Sequence, residues 1–187
     1  MSNDVLHARG KTLEDLFFEQ LDRQRIEALR ARAAAEEAAA GLSASTGIDD
    51  PELLHTIVAL GVTPDTLAAF ALVPLLFVAW ADGLLDEAER RAVLVEAAAM
   101  GLREGSPGHE LLQGWLTREP NGALFEAWQA FHVELARHLS DSARASFRAD
   151  LQTKAGRIAR ASGGFLGLGS VSDVEQAALD RLAGLLA

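Results

Sequence analysis

The 187-residue sequence has no cysteine and no tyrosine. Without cysteine the chain can form no disulfide, no thiolate metal site and no cysteine nucleophile. Lack of cysteine is typical of a reducing compartment. Residues 1–10 also lack the apolar segment of a secretory signal, so we expect a cytoplasmic location.

Positive charge is scarce. The chain has 17 Lys and Arg against 27 Asp and Glu, for a net charge of −10. Nucleic-acid binding relies on basic side chains that neutralise phosphates, so we expect no nucleic-acid partner. Five basic residues do gather between positions 144 and 160. Acidic neighbours interrupt them, which favours a solvated helix face over a surface for anionic lipid or an acidic partner.

Recognisable catalytic motifs are missing as well. The five histidines are scattered, and none forms a His-x-x-x-His pair or an HExxH motif. There is no G-x-S-x-G elbow. Residues 163–169 are rich in glycine, but they follow a helical pattern and no Walker lysine comes after them. We therefore predict a flexible loop at residues 163–169 and a protein that is not an enzyme.

Alanine is abundant, whereas Val, Ile and Thr are sparse. This bias favours helix over strand. Apolar periodicity together with Pro, Gly and capping signals predicts an all-α fold of about seven to eight helices. We expect an N-terminal helical extension and linker over residues 1–45, with the linker itself at residues 41–47. A helical domain is expected over residues 46–187.

Residues 66–81 form an uncharged, apolar run. A membrane span needs about 20 apolar residues, and this run is shorter and contains Pro74. A central helix buried by its neighbours is therefore favoured over a membrane segment. Pro74 removes one backbone hydrogen bond and should kink this helix or divide it.

The turn after this run is rich in acidic residues. Gly83 provides the backbone freedom that a turn needs. Asp86 and Glu89 have the spacing of a capping box, in which both side chains satisfy free backbone N–H groups at a helix start. Asp82 has no capping role in this pattern, so a second explanation stays open for it.

A looser copy of the same arrangement occurs near the C-terminus. Residues 78–83 align with residues 158–163, and Ser172 and Glu175 form a second capping box in register with the first. The pattern predicts two helical hairpins related by duplication. Ser162 stands where a second copy of Asp82 would be.

The run Phe-Val-Ala-Trp-Ala-Asp-Gly at residues 77–83, followed by Asp86-x-x-Glu89, resembles the first signature of the TerB-like tellurite-resistance family. The resemblance covers about residues 63–187. It implies an all-helical duplicated domain, a stress-response role and, in some members, association with the inner face of the membrane. Acidic residues in this family have been proposed to bind a metal. By position, that implies Asp82, Asp86 and Glu89, with Glu175 from the second copy.

A divalent cation is the one cofactor that the sequence leaves open. Asp82, Asp86 and Glu89 offer three carboxylates, but their spacing differs from that of an EF-hand. So few ligands would give a weak site, with a dissociation constant on the order of 10⁻⁴ to 10⁻³ M. Purely structural capping is the favoured alternative, worth about 1 kcal/mol.

The N-terminal helix is a candidate for binding a protein partner. Its apolar residues include Phe17 and Phe18, which lie among acidic residues. They suit docking to a partner as well as they suit packing on the chain's own core. The leading function is thus a non-enzymatic, intracellular TerB-like stress-response module with a weak divalent-metal site. The alternative is a helical adaptor without metal, and the sequence does not indicate an oligomeric state.

Overall fold

The computed structural model describes residues 2–161 and 171–186, with side chains from residue 19 onward. In this part of the chain all regular structure is helical, which confirms the all-α prediction. A 3-10 turn, Pro64–Thr66, precedes α3. The helices are α1 (Ser2–Thr46), α2 (Pro51–Ala59), α3 (Leu67–Phe70), α4 (Val73–Ala79), α5 (Glu87–Ala99), α6 (Pro107–Thr117), α7 (Gly122–Arg137), α8 (Asp141–Ala161) and α9 (Asp173–Leu185).

The predicted central helix is divided, as Pro74 suggested. The 3-10 turn, α3 and α4 replace one continuous helix, and Pro74 lies in the first turn of α4. A proline is tolerated there because the first N–H groups of a helix have no intrahelical partner. The local sequence thus determines both the break and its position.

The chain separates into two compact units, residues 1–38 and 39–187. The described part of the first unit is helical throughout. Its side chains from residue 19 onward are nearly all exposed, and they include Ile26 and Leu29, which are 48% and 68% exposed. An ion pair of 3.1 Å between Glu19 and Arg23 lies along the helix surface.

The predicted linker at residues 41–47 is wrong, because α1 continues to Thr46. Leu42 is fully buried in the second unit, and the hydroxyls of Ser45 and Thr46 donate to backbone carbonyls four residues earlier. Small polar residues suggested a linker, but burial of Leu42 favours the helix, and these hydroxyls satisfy themselves on the helix's own carbonyls. The division into the two compact units falls between residues 38 and 39.

The core of the second unit surrounds α4, which packs against α5, α7, α8 and α9. Phe70, Leu75 and Val78 are at most 1% exposed, as expected for a buried central segment. Among the described residues no single helix is long and apolar enough to cross a membrane. Counted together, α2 and residues 64–79 are long and apolar enough, but the chain bends between them, and this observation rests on length and composition alone.

The two predicted hairpins pack against one another. Helices α4 and α5 form the first, α8 and α9 form the second, and α8 contacts all three of the others. Val78 and Ile158, which the sequence alignment pairs, are both fully buried. Ser162 and the predicted glycine-rich loop at residues 163–169 lie outside the described residues.

At Gly41, α1 passes close to Pro64. A Cβ atom built there would lie 2.7 Å from Cγ of Pro64, whose ring cannot move aside easily. We predict that Gly41→Ala destabilises the protein by about 1–3 kcal/mol, although alanine is the better helix former. Urea unfolding followed by circular dichroism measures the change.

Gly114→Ala is the matched control, because Gly114 lies in α6 with open space around its Cα. This substitution should stabilise the protein by up to about 1 kcal/mol. Equal stabilisation by both substitutions would contradict the close approach of Gly41 to Pro64.

Candidate functional site

The turn between α4 and α5 is built on Asp82 and Gly83. The Oδ1 atom of Asp82 accepts a hydrogen bond of 2.9 Å from the Leu84 N–H. Gly83 has a φ of +81°, a conformation that disfavours any residue with a side chain. Asp82, which had no role in the capping pattern, therefore has a structural one: its side chain holds the turn closed.

The predicted capping box at the start of α5 is present in full. Asp86 Oδ1 accepts from the N–H groups of Ala88 and Glu89, at 2.7 and 2.8 Å. In return Glu89 Oε2 accepts from the Asp86 N–H at 2.9 Å. The free N–H groups of the helix start are thereby satisfied by two carboxylates.

The second capping box repeats this geometry at the start of α9. Ser172 Oγ accepts from the Glu175 N–H at 3.2 Å, and Glu175 Oε2 accepts from the Ser172 N–H at 2.7 Å. Glu89 and Glu175 are only 4% and 5% exposed. The two copies therefore place equivalent glutamates inside the domain, where a charged carboxylate is costly unless it is compensated.

The pKa of Glu89 is raised from 4.5 to about 7. Burial of the carboxyl is the largest cause, and the negative charges of Asp86, Glu175 and Asp82 raise the pKa further, while the bond from the Asp86 N–H opposes the shift. Of the four residues predicted from the resemblance, the other three thus act electrostatically on the carboxyl of Glu89. We call these four residues the acidic junction.

The acidic junction does not form a ready-made metal site. Within the described residues no group of three or more His, Cys, Asp or Glu side chains is arranged to hold a metal ion. The donors themselves suit a hard cation such as Mg²⁺ or Ca²⁺, which prefers carboxylate oxygens. The chemistry of the residues therefore fits a divalent cation, whereas closing a site would need movement of side chains or added water ligands.

The partner-binding prediction concerns α1. Phe17 and Phe18 belong to its helical backbone, but their side chains lie outside the part that the structure describes. Their role stays a prediction.

An ion pair between the exposed Arg157 and the buried Glu96, which the sequence did not indicate, links α5 to α8. Arg157 Nη2 lies 2.7 Å from Glu96 Oε1, and the Glu96 side chain is 7% exposed. Lys154 pairs with Asp150 at 2.7 Å, and Arg144 pairs with Asp141. The basic residues of α8 are thus largely paired within the protein, which favours the solvated face over a lipid surface.

The second unit also contains an open groove with a volume of about 570 Å³ between α4, α7 and α9. Phe77 and Phe125 stack in it, and the guanidinium carbon of Arg181 lies 5.2 and 5.5 Å from the centroids of their rings. Sequence reasoning missed this site because its residues come from three helices far apart in the chain.

Comparison with known proteins adds no assignment: no protein-family model matches the chain, and no curated protein or solved structure is significantly similar to it.

The raised pKa of Glu89 makes stability depend on pH. The folded state holds this proton more tightly than the unfolded state. The stabilisation that comes from the protonated carboxyl is therefore complete below about pH 4.5 and is lost as the pH rises through about 7. Glu89→Gln keeps an acceptor for the Asp86 N–H and removes the titration. We predict that it gains stability relative to the wild type between pH 5 and 8, by up to about 3 kcal/mol.

Urea unfolding at several pH values measures this difference. The opposing titration of His132, whose pKa is lowered by burial and by Arg148, cancels because both proteins contain it. Glu87→Gln, on the exposed side of the same helix turn, is the control for removing one carboxylate. A Glu89→Gln difference that is the same at pH 5 and pH 8 would show that Glu89 is not a buried acid.

Proposed function

We propose that the protein is a non-enzymatic, intracellular TerB-like stress-response module, related to tellurite resistance, whose acidic junction binds a divalent cation weakly. The observation that supports this most is the burial of Glu89 and Glu175 at equivalent positions of two packed hairpins. The lack of catalytic motifs in the sequence supports the non-enzymatic part. The expected place of action is the cytoplasm, with peripheral association at the inner membrane face as a further expectation from the resemblance.

The acidic junction has oxygens left for a cation. Glu89 Oε1, Asp86 Oδ2 and Asp82 Oδ2 make no hydrogen bond within the described residues, while the other oxygen of each side chain holds the backbone. Water and backbone carbonyls would have to supply the remaining ligands. A site of this kind is expected in the range of about 10⁻⁴ to 10⁻³ M.

Proton competition follows from the same geometry. With a pKa of about 7, Glu89 carries a proton in a substantial fraction of molecules at neutral pH. A cation must displace this proton, because metal ligands bind as carboxylates. Cation affinity should therefore rise with pH, and binding should release protons.

A helical adaptor without metal is the second candidate. The observation in its favour is the exposed first unit, in which Ile26 and Leu29 have no apolar cover among the described residues. Exposed apolar side chains on a helix are typical of surfaces that dock to another protein. Docking through α1 would use a different part of the chain from the cation site, so a protein-binding role is also compatible with metal binding.

Calorimetric titration with Mg²⁺, Ca²⁺, Mn²⁺ and Zn²⁺ tests the cation site. We expect a dissociation constant on the order of 10⁻⁴ to 10⁻³ M for at least one metal. Repeating the titration in two buffers of different ionisation enthalpy should reveal proton release. Asp82→Asn should weaken binding at least several-fold, yet its amide oxygen can still accept from the Leu84 N–H and preserve the turn.

Glu87→Gln controls for the loss of local negative charge in that titration. Absence of heat with all four metals, or equal binding by Asp82→Asn and the wild type, would refute the cation site.

A double substitution, Phe17→Ala with Phe18→Ala, tests the adaptor candidate. We expect the partner captured by the full chain, once identified and purified, to bind the double variant at least tenfold more weakly. The helix content and thermal midpoint of the second unit should stay the same, since these residues belong to the first unit. Ile26→Ala with Leu29→Ala is a matched pair farther along the same helix. Undiminished binding by both double variants would rule out docking through α1.

A further inference from the structure

The groove between α4, α7 and α9 has the dimensions of a small-molecule site. Its volume of about 570 Å³ lies within the range of about 300–1,000 Å³ that is usual for ligand pockets. Val73, Leu76 and Phe77 of α4 line it, together with Phe125 of α7 and Val174 of α9. Such a mainly apolar lining with few polar groups is typical of ligand sites.

Two of the residues that line the groove, Phe77 and Phe125, belong to a stack of aromatic rings. The rings of Phe77 and Phe125 are parallel within 4°, with centroids 4.0 Å apart. The stack continues from Phe125 through Trp128, His132 and Phe147, with successive centroids 5.9, 5.3 and 5.2 Å apart. Because each ring packs against the next, the side chains of Phe77 and Phe125 need little ordering when a ligand binds.

Arg181 is the cation of this groove. Its guanidinium carbon lies 5.2 Å from the Phe77 centroid and 5.5 Å from the Phe125 centroid. Cation–π contact holds it there, and no ion pair within the described residues neutralises it. A guanidinium beside apolar rings is well placed to bind a carboxylate through two parallel hydrogen bonds.

The rim of the groove carries the opposite charge. Glu119 and Glu126 also line it, and both are exposed to solvent. Their charges are screened by water, but they add to a chain whose net charge is already −10. A polyanion would be repelled at this rim, whereas a ligand with a single negative charge could reach Arg181.

We propose that this groove binds a small monocarboxylate with an aromatic or aliphatic body. The body would lie on the rings of Phe77 and Phe125, and the carboxylate would pair with the guanidinium of Arg181. This inference goes beyond the proposed cation site and does not depend on it, because no residue of the acidic junction lines the groove.

The probe is 4-phenylbutyrate, titrated into the full-length protein by calorimetry and by ¹H–¹⁵N NMR. Trp80 lines the groove, and its indole N–H donates to the Trp115 carbonyl at 3.1 Å, so its resonance reports on occupancy. Trp80→Phe assigns that resonance. We expect saturable binding with a shift of the Trp80 indole signal.

Three comparisons identify the groups that recognise the ligand. The uncharged analogue 4-phenylbutanol should bind at least tenfold more weakly, because it cannot pair with Arg181 in a charge-assisted way. Arg181→Gln should weaken the binding of 4-phenylbutyrate at least tenfold. The affinity of Arg181→Lys should lie between those of the wild type and Arg181→Gln, since lysine keeps the charge but loses the bidentate geometry. Arg91→Gln, on α5 outside the groove, should change nothing.

Each other outcome overturns the proposal. Binding without a Trp80 shift would place the ligand elsewhere. Equal binding of the acid and the alcohol, or full binding by Arg181→Gln, would make the groove an unselective apolar surface, such as one that docks a protein segment. Because Arg181 is exposed, its variants should keep the wild-type circular dichroism spectrum. If the variants lose that spectrum, the comparison of 4-phenylbutyrate with 4-phenylbutanol on the wild-type protein tests the proposal by itself.

Discussion

Two buried glutamates are the constraint around which the second unit is arranged. Glu89 and Glu175 each complete a capping box, so neither can leave its position without exposing a free backbone N–H at a helix start. Both are nearly excluded from water, and the negative charge of Glu175 raises the pKa of Glu89. The domain therefore holds an acidic junction in place by the same bonds that begin α5 and α9.

The junction and the groove occupy neighbouring parts of the same helices. Ala81 lines the groove and Asp82 follows it in the turn, while Val174 lines the groove and Glu175 follows it in α9. The ion pair of Glu96 with Arg157 adds a separate link between the hairpins, from α5 to α8. The charge of Arg157 thus compensates the buried carboxylate of Glu96. Glu89 has no such partner in this pairing, and its burial raises its pKa instead. This contrast supports a role for Glu89 beyond packing.

Local signals in the sequence predicted the local structure well. Both capping boxes form and Pro74 divides the predicted central helix, because each signal depends on residues within one helix turn. The linker prediction failed because burial of Leu42 depends on distant residues. The groove could not be predicted for the same reason, because Arg181 and Phe77 are far apart in the sequence and come together only in the folded chain. The pKa of Glu89 also required knowledge of burial, which spacing alone does not provide.

The most direct test of the account is the pKa of the Glu89 side chain, measured by ¹³C NMR of its carboxyl group with and without a saturating divalent cation. We predict a pKa of about 7 without the cation and a clearly lower one with it, because the cation favours the ionised carboxylate. A pKa near the ordinary value of 4.5 that the cation does not change would contradict both the buried acid and the cation site.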